Sequence, residues 1–346
     1  MNTSPRRCIL LLFCLLIPLS SLFAGATIQR GEATAIRARR EQPAPPTELY
    51  EVVKIVDGDT IHILRGGEKE KLRLLSVDTE EKLSPGMTSD PSKPQTVFGE
   101  ETRLWTLAFF EQFRSQDGKL RVGLRFPEER ESYDVYGRLL CHVLLPDGTD
   151  FNLLLVELGK SPYFNKYGHS LIAHDDFVRA QVRARRNLLG IWDPLTNEPA
   201  TAGAPTAKRP YDRLLPWWQA RANAIDAYRR RAAADPLKVL HAENPDDLDT
   251  AFAAQLAEVT IFGSPDRFFE ESDGSQTVLL RATDRSRALR IRIPKEARPA
   301  FESFDLESLR EQYHQNYVFV RGVLRRGERG LEIVTASPNS WQRADE

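Results

Sequence analysis

Cysteine is nearly absent. Of the three in the chain, Cys8 and Cys14 lie near the start and Cys141 is the last. No internal disulfide framework follows from that spacing. A lone cysteine in the strand-like run Leu139-Leu140-Cys141-His142-Val143 reads as a small buried hydrophobe. The six histidines show no His-x-His or His-Glu-x-x-His spacing and no cysteine partners, which argues against zinc. No phosphate-cradling Gly-x-x-x-x-Gly-Lys loop and no Gly-x-Ser-x-Gly elbow is present. Nor does charge of one sign dominate: 48 Lys+Arg stand against 49 Asp+Glu, a net of −1. Any binding of a polyanion must therefore come from local clustering.

What is present begins with a targeting pattern. Arg6-Arg7 precedes an apolar stretch from Ile9 to Phe23, and Ala24-Gly25-Ala26 offers a small-x-small cleavage site. That stretch is short for a membrane span, which needs about 20 residues. The expectation is an exported protein, periplasmic or secreted, whose mature form has no stable span; an uncleaved anchor is the competing reading. Residues 27–47, rich in Arg, Ala, Thr and Pro, read as a flexible linker.

At 346 residues the chain has room for two or three domains. Glu51–Val56, Thr60–Leu64 and Lys69–Leu75 are strand-like, joined by the turn signals Asp57-Gly58 and Arg65-Gly66-Gly67. A polar loop with three prolines precedes a helix over Gly99–Phe113. Strands over Leu120–Phe126 and Leu139–Leu145 follow, then helices over Phe151–Leu158 and Asp175–Leu189. The expected fold of 48–195 is mainly β with α, an OB-like five-stranded barrel with helical supports. A second linker spans 196–212, and a helical connector spans 213–254, where Leu214, Trp218, Ala222, Ile225 and Tyr228 recur at helical spacing. From 255 to 346, five strand candidates and a helix over Glu302–Gln312 suggest a second, smaller OB-like barrel.

Chemistry concentrates where apolar, β-branched runs break off. Asp59 follows Ile55-Val56-Asp57-Gly58, and Asp78 follows Arg73-Leu74-Leu75-Ser76-Val77. Hard cations take oxygen ligands, and phosphodiesters suit a guanidinium fork. Carboxylates and an arginine at strand ends therefore equip a chain to cut nucleic acid.

Four blocks in order carry a resemblance: Val56-Asp57-Gly58-Asp59-Thr60, Arg73 through Glu81, Asp134-Val135-Tyr136-Gly137-Arg138, and Asn187-Leu188-Leu189-Gly190-Ile191-Trp192. Over about residues 48–193 the chain resembles the thermonuclease family, the staphylococcal-nuclease-like domain. The resemblance implies a Ca²⁺-dependent hydrolase of DNA or RNA, with Asp59, Asp78 and the Thr79 carbonyl as metal ligands. It makes Glu81 the base for the attacking water, and Arg73 and Arg138 clamps on the scissile phosphate. It also implies in-line attack with loss of the 5′ oxygen, leaving 3′-phosphate ends. Tyr136 and, more loosely, Tyr163 would contact substrate.

The chain departs from the family pattern in two places. Glu80 stands where the family usually has proline, which leaves open whether Glu80 or Glu81 is the base. Val135 replaces a common basic residue. Residues 48–195 carry 20 Lys+Arg against 24 Asp+Glu, a poor balance for polyanion binding. The alternative function is therefore a catalytically impaired nucleic-acid-binding protein. Downstream, Leu289-Arg290-Ile291-Arg292-Ile293 alternates, placing Arg290 and Arg292 on one strand face. Such a face could grip single-stranded nucleic acid; a solvated sheet face is the plainer reading. A monomer is expected.

Overall fold

The computed structural model describes residues 44–344 apart from 85, 87–89, 91, 199–206 and 312. The segment expected to be a signal, the expected first linker up to residue 43 and the centre of the expected second linker lie outside the described residues. The chain divides at Ala44, and the account below concerns the unit that starts at Pro45.

Period-two alternation and tight turns build the first sheet. The strands are β1 (Tyr50–Ile55), β2 (Thr60–Arg65), β3 (Glu68–Leu74), β4 (Arg121–Arg125) and β5 (Leu139–Leu144). They close into a barrel in the order β1-β2-β3-β5-β4. The β3–β5 contact is parallel, with Arg73 opposite Leu140, and the other pairs are antiparallel. Ile61, Ile63, Leu72, Val122, Leu139, Cys141 and Val143 point inward and are fully buried, so Cys141 is the small core residue its run suggests. Each such aliphatic contributes about 1.5–3 kcal/mol by leaving water.

Three helices buttress the barrel: α1 (Val97–Glu111), α2 (Phe151–Glu157) and α3 (His174–Arg186). Thr96 caps α1 by accepting a hydrogen bond from the Gly99 amide, and Asp150 caps α2 by accepting from Leu153. Phe110 and Phe151 meet edge-on in the core, 4.8 Å between centroids.

Helix α4 (Tyr211–Ala234) begins inside the stretch expected to be linker. Leu214, Trp218, Ala222 and Ile225 are buried along its apolar face. Beyond it come β6 (Val239–His241), α5 (Pro245–Ala253), β7 (Val259–Gly263), β8 (Pro265–Glu270), β9 (Gln276–Leu280), β10 (Arg290–Ile293), β11 (Val318–Gly322), β12 (Arg325–Gly327), β13 (Gly330–Val334) and β14 (Trp341–Arg343).

These strands form two sheets, ordered β12-β13-β10-β9-β8 and β14-β11-β7-β6, rather than the single small barrel the sequence suggested. Both sheets feed one hydrophobic cluster that includes Ile261, Val278, Ile291, Val320 and Ile333. Strand β6 pairs with β7, so the C-terminal sheets recruit residues from before position 255. The helix expected over Glu302–Gln312 is instead two 3₁₀ stretches, Lys295–Phe304 and Leu306–Arg310. Asp305, at φ 50°, separates them: a left-handed residue cannot carry a helical ladder.

Candidate active site

Two chain reversals bring the carboxylates together. The β1–β2 turn carries Asp57-Gly58-Asp59, where the Asp57 Oδ1 accepts from the Asp59 amide at 3.1 Å. The turn packs tightly on the chain leaving β3: a Cβ on Gly58 would sit 2.6 Å from the Thr79 methyl. Asp59 Oδ2 accepts from the Thr79 amide at 2.9 Å and from its hydroxyl at 3.2 Å. Asp59, Asp78 and Thr79 are all buried.

Arg73, near the end of β3, ties the two aspartates. Its guanidinium lies 2.9 Å from Asp59 Oδ1 and 2.8 Å from Asp78 Oδ1. Lys93, from the polar loop before α1, bridges Asp78 Oδ1 at 3.0 Å and Glu81 Oε1 at 2.6 Å. Arg209, from the segment entering α4, pairs with Asp78 Oδ2 and donates to the Asp78 carbonyl at 3.0 Å and the Ser92 carbonyl at 3.2 Å. Sequence reasoning missed both cations, because one lay in an aperiodic loop and the other in an apparent linker. Neither spacing nor periodicity marks them.

Electrostatics follow from this packing. Burial works to raise the Asp78 carboxyl, but Arg209, Lys93 and Arg73 outweigh it and hold it well below the usual carboxylate range. Burial works to lower Lys93, and Asp78, Asp59 and Glu81 outweigh it to leave the ammonium raised. Asp57 is pushed up to about 7 by burial and then by the neighbouring Asp59 charge.

The two adjacent glutamates face different surroundings. Glu80 is buried: it accepts from the Thr96 hydroxyl, from the Asn197 side-chain amide at 2.8 Å and from the Tyr211 hydroxyl at 3.2 Å. Glu81 keeps 38% of its side chain exposed and turns to Lys93. Its backbone is fixed, since its carbonyl accepts from the Thr96 amide at 3.0 Å.

The remaining sequence-derived residues sit outside this group. Arg138, just before β5, is held at 2.7 Å by Asp134 and lies 5.5 Å from the centroid of the Tyr136 ring. Tyr136 is 78% exposed. Tyr163 is 3% exposed; its ring stacks on Phe177 and its hydroxyl meets His174 Nδ1 at 3.0 Å. Burial pushes that phenol up to about 12. Tyr163 thus packs its ring against α3, while its backbone bridges Val77 beside Asp78.

Ca²⁺ can be tested against the donors. Asp59, Asp78 and a backbone carbonyl are the right chemistry for a hard cation. Yet Asp59 Oδ1 already has Arg73, Asp59 Oδ2 has Thr79, and both Asp78 oxygens have cationic partners. Among the described residues no group of three or more His, Cys, Asp or Glu is disposed to hold a metal ion. The arrangement as it stands does not fit a divalent ion.

A closed five-stranded barrel with carboxylates and an arginine where β1–β2 and β3 end defines a nuclease-type OB barrel. Comparison with known proteins agrees. The family described as "Staphylococcal nuclease homologue" matches residues 71–194. The "Thermonuclease" of Staphylococcus intermedius is 32% identical over 151 residues, 42% of this chain and 77% of that protein. "Endonuclease YhcR" of Bacillus subtilis (strain 168) is 31% identical over 175 residues, 47% of this chain but 14% of that protein. An "Uncharacterized endonuclease" of Escherichia coli O157:H7 is 25% identical over 142 residues, covering 41% of this chain and 74% of that protein. Through this segment the chain belongs to the staphylococcal nuclease family. These relatives support a nuclease function.

Proposed function

We propose that the protein is an endonuclease hydrolysing phosphodiester bonds of DNA or RNA. The observation that carries this is the meeting of Arg73, Asp59, Asp78 and a half-exposed Glu81 inside the family-matched segment.

In this reading Glu81 takes a proton from a water that attacks phosphorus in line. The new P–O bond forms from that water as the bond to the 5′ oxygen breaks. The departing alkoxide picks up a proton from solvent, leaving a 3′-phosphate and a 5′-hydroxyl. Arg73 stabilises charge growing on the phosphate oxygens. Arg138, oriented by Asp134, is the second clamp, and the exposed Tyr136 ring beside it offers a face on which a sugar or base packs. Asp59 and Asp78 hold Arg73 in place. Ca²⁺ at these aspartates is what the family resemblance implies, and no step here is routed through it.

Binding without cleavage is the second reading, since Glu80 stands in place of the family's proline. The burial of Glu80 against Thr96, Asn197 and Tyr211 favours the enzyme, because that side chain leaves the reacting face to Glu81. A contribution from Arg290 and Arg292 to single-strand binding is narrower than their alternation suggests, since Arg292 is paired with Asp273 and Ser275. Export remains part of the proposal, on the apolar stretch Ile9–Phe23.

End-group analysis tests the reaction. The full chain should cut single-stranded DNA or RNA to products with 3′-phosphate and 5′-hydroxyl ends. Intact substrate with and without Ca²⁺, or products ending in 5′-phosphate, contradicts it.

A further inference from the structure

We infer that Lys93 and Arg209 stand in for a divalent cation at the Asp59–Asp78–Glu81 carboxylates, so that phosphodiester binding at this site does not depend on a bound metal ion. The inference rests on the nuclease reading for its substrate, but its structural claim concerns ion binding alone.

Three observations carry it. First, cations already meet these carboxylates: Arg73 pairs with Asp59 and Asp78, Lys93 with Asp78 and Glu81, and Arg209 with Asp78, while Asp57 beside Asp59 is pushed up to about 7. A divalent ion entering this group must either leave it strongly positive or displace an existing cation.

Second, Arg209 is built in. Its side chain is 4% exposed, and its Nε and both terminal nitrogens donate, to the Ser92 carbonyl, the Asp78 carbonyl and the Asp78 carboxylate. Its guanidinium also lies 5.3 Å from the Trp218 ring centroid and 5.6 Å from that of Tyr211. Displacing it would strip all three hydrogen bonds, two of them to Asp78, and leave the guanidinium unpaired in an aromatic pocket. Arg209 is thus a positioning residue, fixing one oxygen of Asp78 permanently.

Third, Lys93 occupies the position of a cation shared by Asp78 and Glu81. Its ammonium bridges Asp78 and Glu81 with two of its three N–H donors while 29% of the side chain faces solvent. A third N–H donor would serve a phosphate oxygen arriving at Glu81. Arg73 and Lys93 together then supply the positive charge that the approach of a phosphodiester requires.

The test is calorimetric titration of CaCl₂ into the full-length wild type and into Lys93→Gln, with cleavage assays run in chelator alongside. The wild type should show no saturable Ca²⁺ binding up to about 10 mM, about tenfold beyond the millimolar weak end of protein calcium sites. Lys93→Gln leaves Glu81 without its ion pair beside Asp78 and should gain affinity by at least about tenfold, the effect expected from removing one adjacent positive charge. Where the protein cuts, it should cut in chelator, and Lys93→Gln should lose that chelator-resistant activity. Saturable Ca²⁺ binding by the wild type in the sub-millimolar range, or unchanged binding in Lys93→Gln, overturns the inference. If nothing is cut under any condition, the nuclease reading fails while the titration still decides the ion question. Circular dichroism of Lys93→Gln, whose side chain is partly exposed, checks that a change in binding is not unfolding.

Discussion

Glu80 and Glu81 are neighbours with different surroundings, set by where their side chains go. Glu80 accepts three hydrogen bonds inside the protein. Replacing it with Gln turns one acceptor oxygen into a donor facing other donors, and should cost about 1–3 kcal/mol of stability, read by chemical denaturation. Lys160 supplies a second prediction at this scale. It is buried over the Phe98 and Trp105 rings at 4.9 Å and 5.4 Å, and burial pulls its ammonium from 10.5 down to about 8, with Glu101 opposing. The folded state therefore disfavours the charge. Its penalty is full below pH about 8 and fades as pH rises toward the unfolded value of 10.5. Lys160→Met should stabilise the protein at pH 7, by about 3 kcal/mol at most, and flatten the rise in stability between pH 8 and 10. Melting curves across that range check both.

At the scale of elements, the loop carrying Glu81 depends on the first turn of α1. A Cβ on Gly99 would fall 2.1 Å from the Glu81 carbonyl oxygen and 2.8 Å from that of Glu80. Backbone stands on both sides, so neither yields cheaply. Gly99→Ala should cost about 1–3 kcal/mol and also lower kcat, because the chain holding Glu81 must move. Parallel denaturation and rate measurements check that the two losses occur together. Much of this region was legible in the sequence. The strands and helices of the barrel begin and end within about three residues of the positions their alternation and caps indicate. Asp59, Arg73, Asp78 and Glu81 fall in blocks whose order survives in the fold. Lys93 and Arg209 were not legible, since their partners lie across loops and 131 residues of chain in the case of Arg209 and Asp78. The C-terminal sheets were half legible. Strands β10 and β13 alternate cleanly and β7, β9 and β11 are short apolar runs, whereas β8 carries Asp266-Arg267-Phe268-Phe269 at an edge and β12 and β14 have three residues each.

Across the whole molecule, α4 is the spine. On one side Trp218 meets Phe164 at 4.7 Å, Gln219 bonds Asn165 and His169 pairs with Asp226, all reaching the nuclease barrel's C-terminal helices and loops. On the other, Arg221 lies 4.3 Å over the Tyr317 ring, bonds its hydroxyl at 2.7 Å and reaches Asn316, while the Trp217 indole donates to the His314 carbonyl. Arg209 enters the site from the start of the same helix. The carboxylate cluster and the C-terminal sheets are therefore mechanically joined through α4. Arg221→Ala leaves the Tyr317 hydroxyl and a packed ring without their partner, at a cost of about 1.5–3 kcal/mol. Differential scanning calorimetry should show one transition for the wild type and two for this variant. A single transition in both would mean that other contacts along α4 carry the coupling.

The central claim is that Glu81 is the base of a nuclease. Rates of oligonucleotide cleavage by the wild type, Glu81→Gln and Glu80→Gln, each corrected for folded fraction, test it most directly. The account predicts that Glu81→Gln loses about 10²–10⁴ in kcat with its fold intact, while Glu80→Gln retains a near-normal rate per folded molecule. A Glu81→Gln protein that cuts at the wild-type rate, beside an inactive Glu80→Gln, would contradict it.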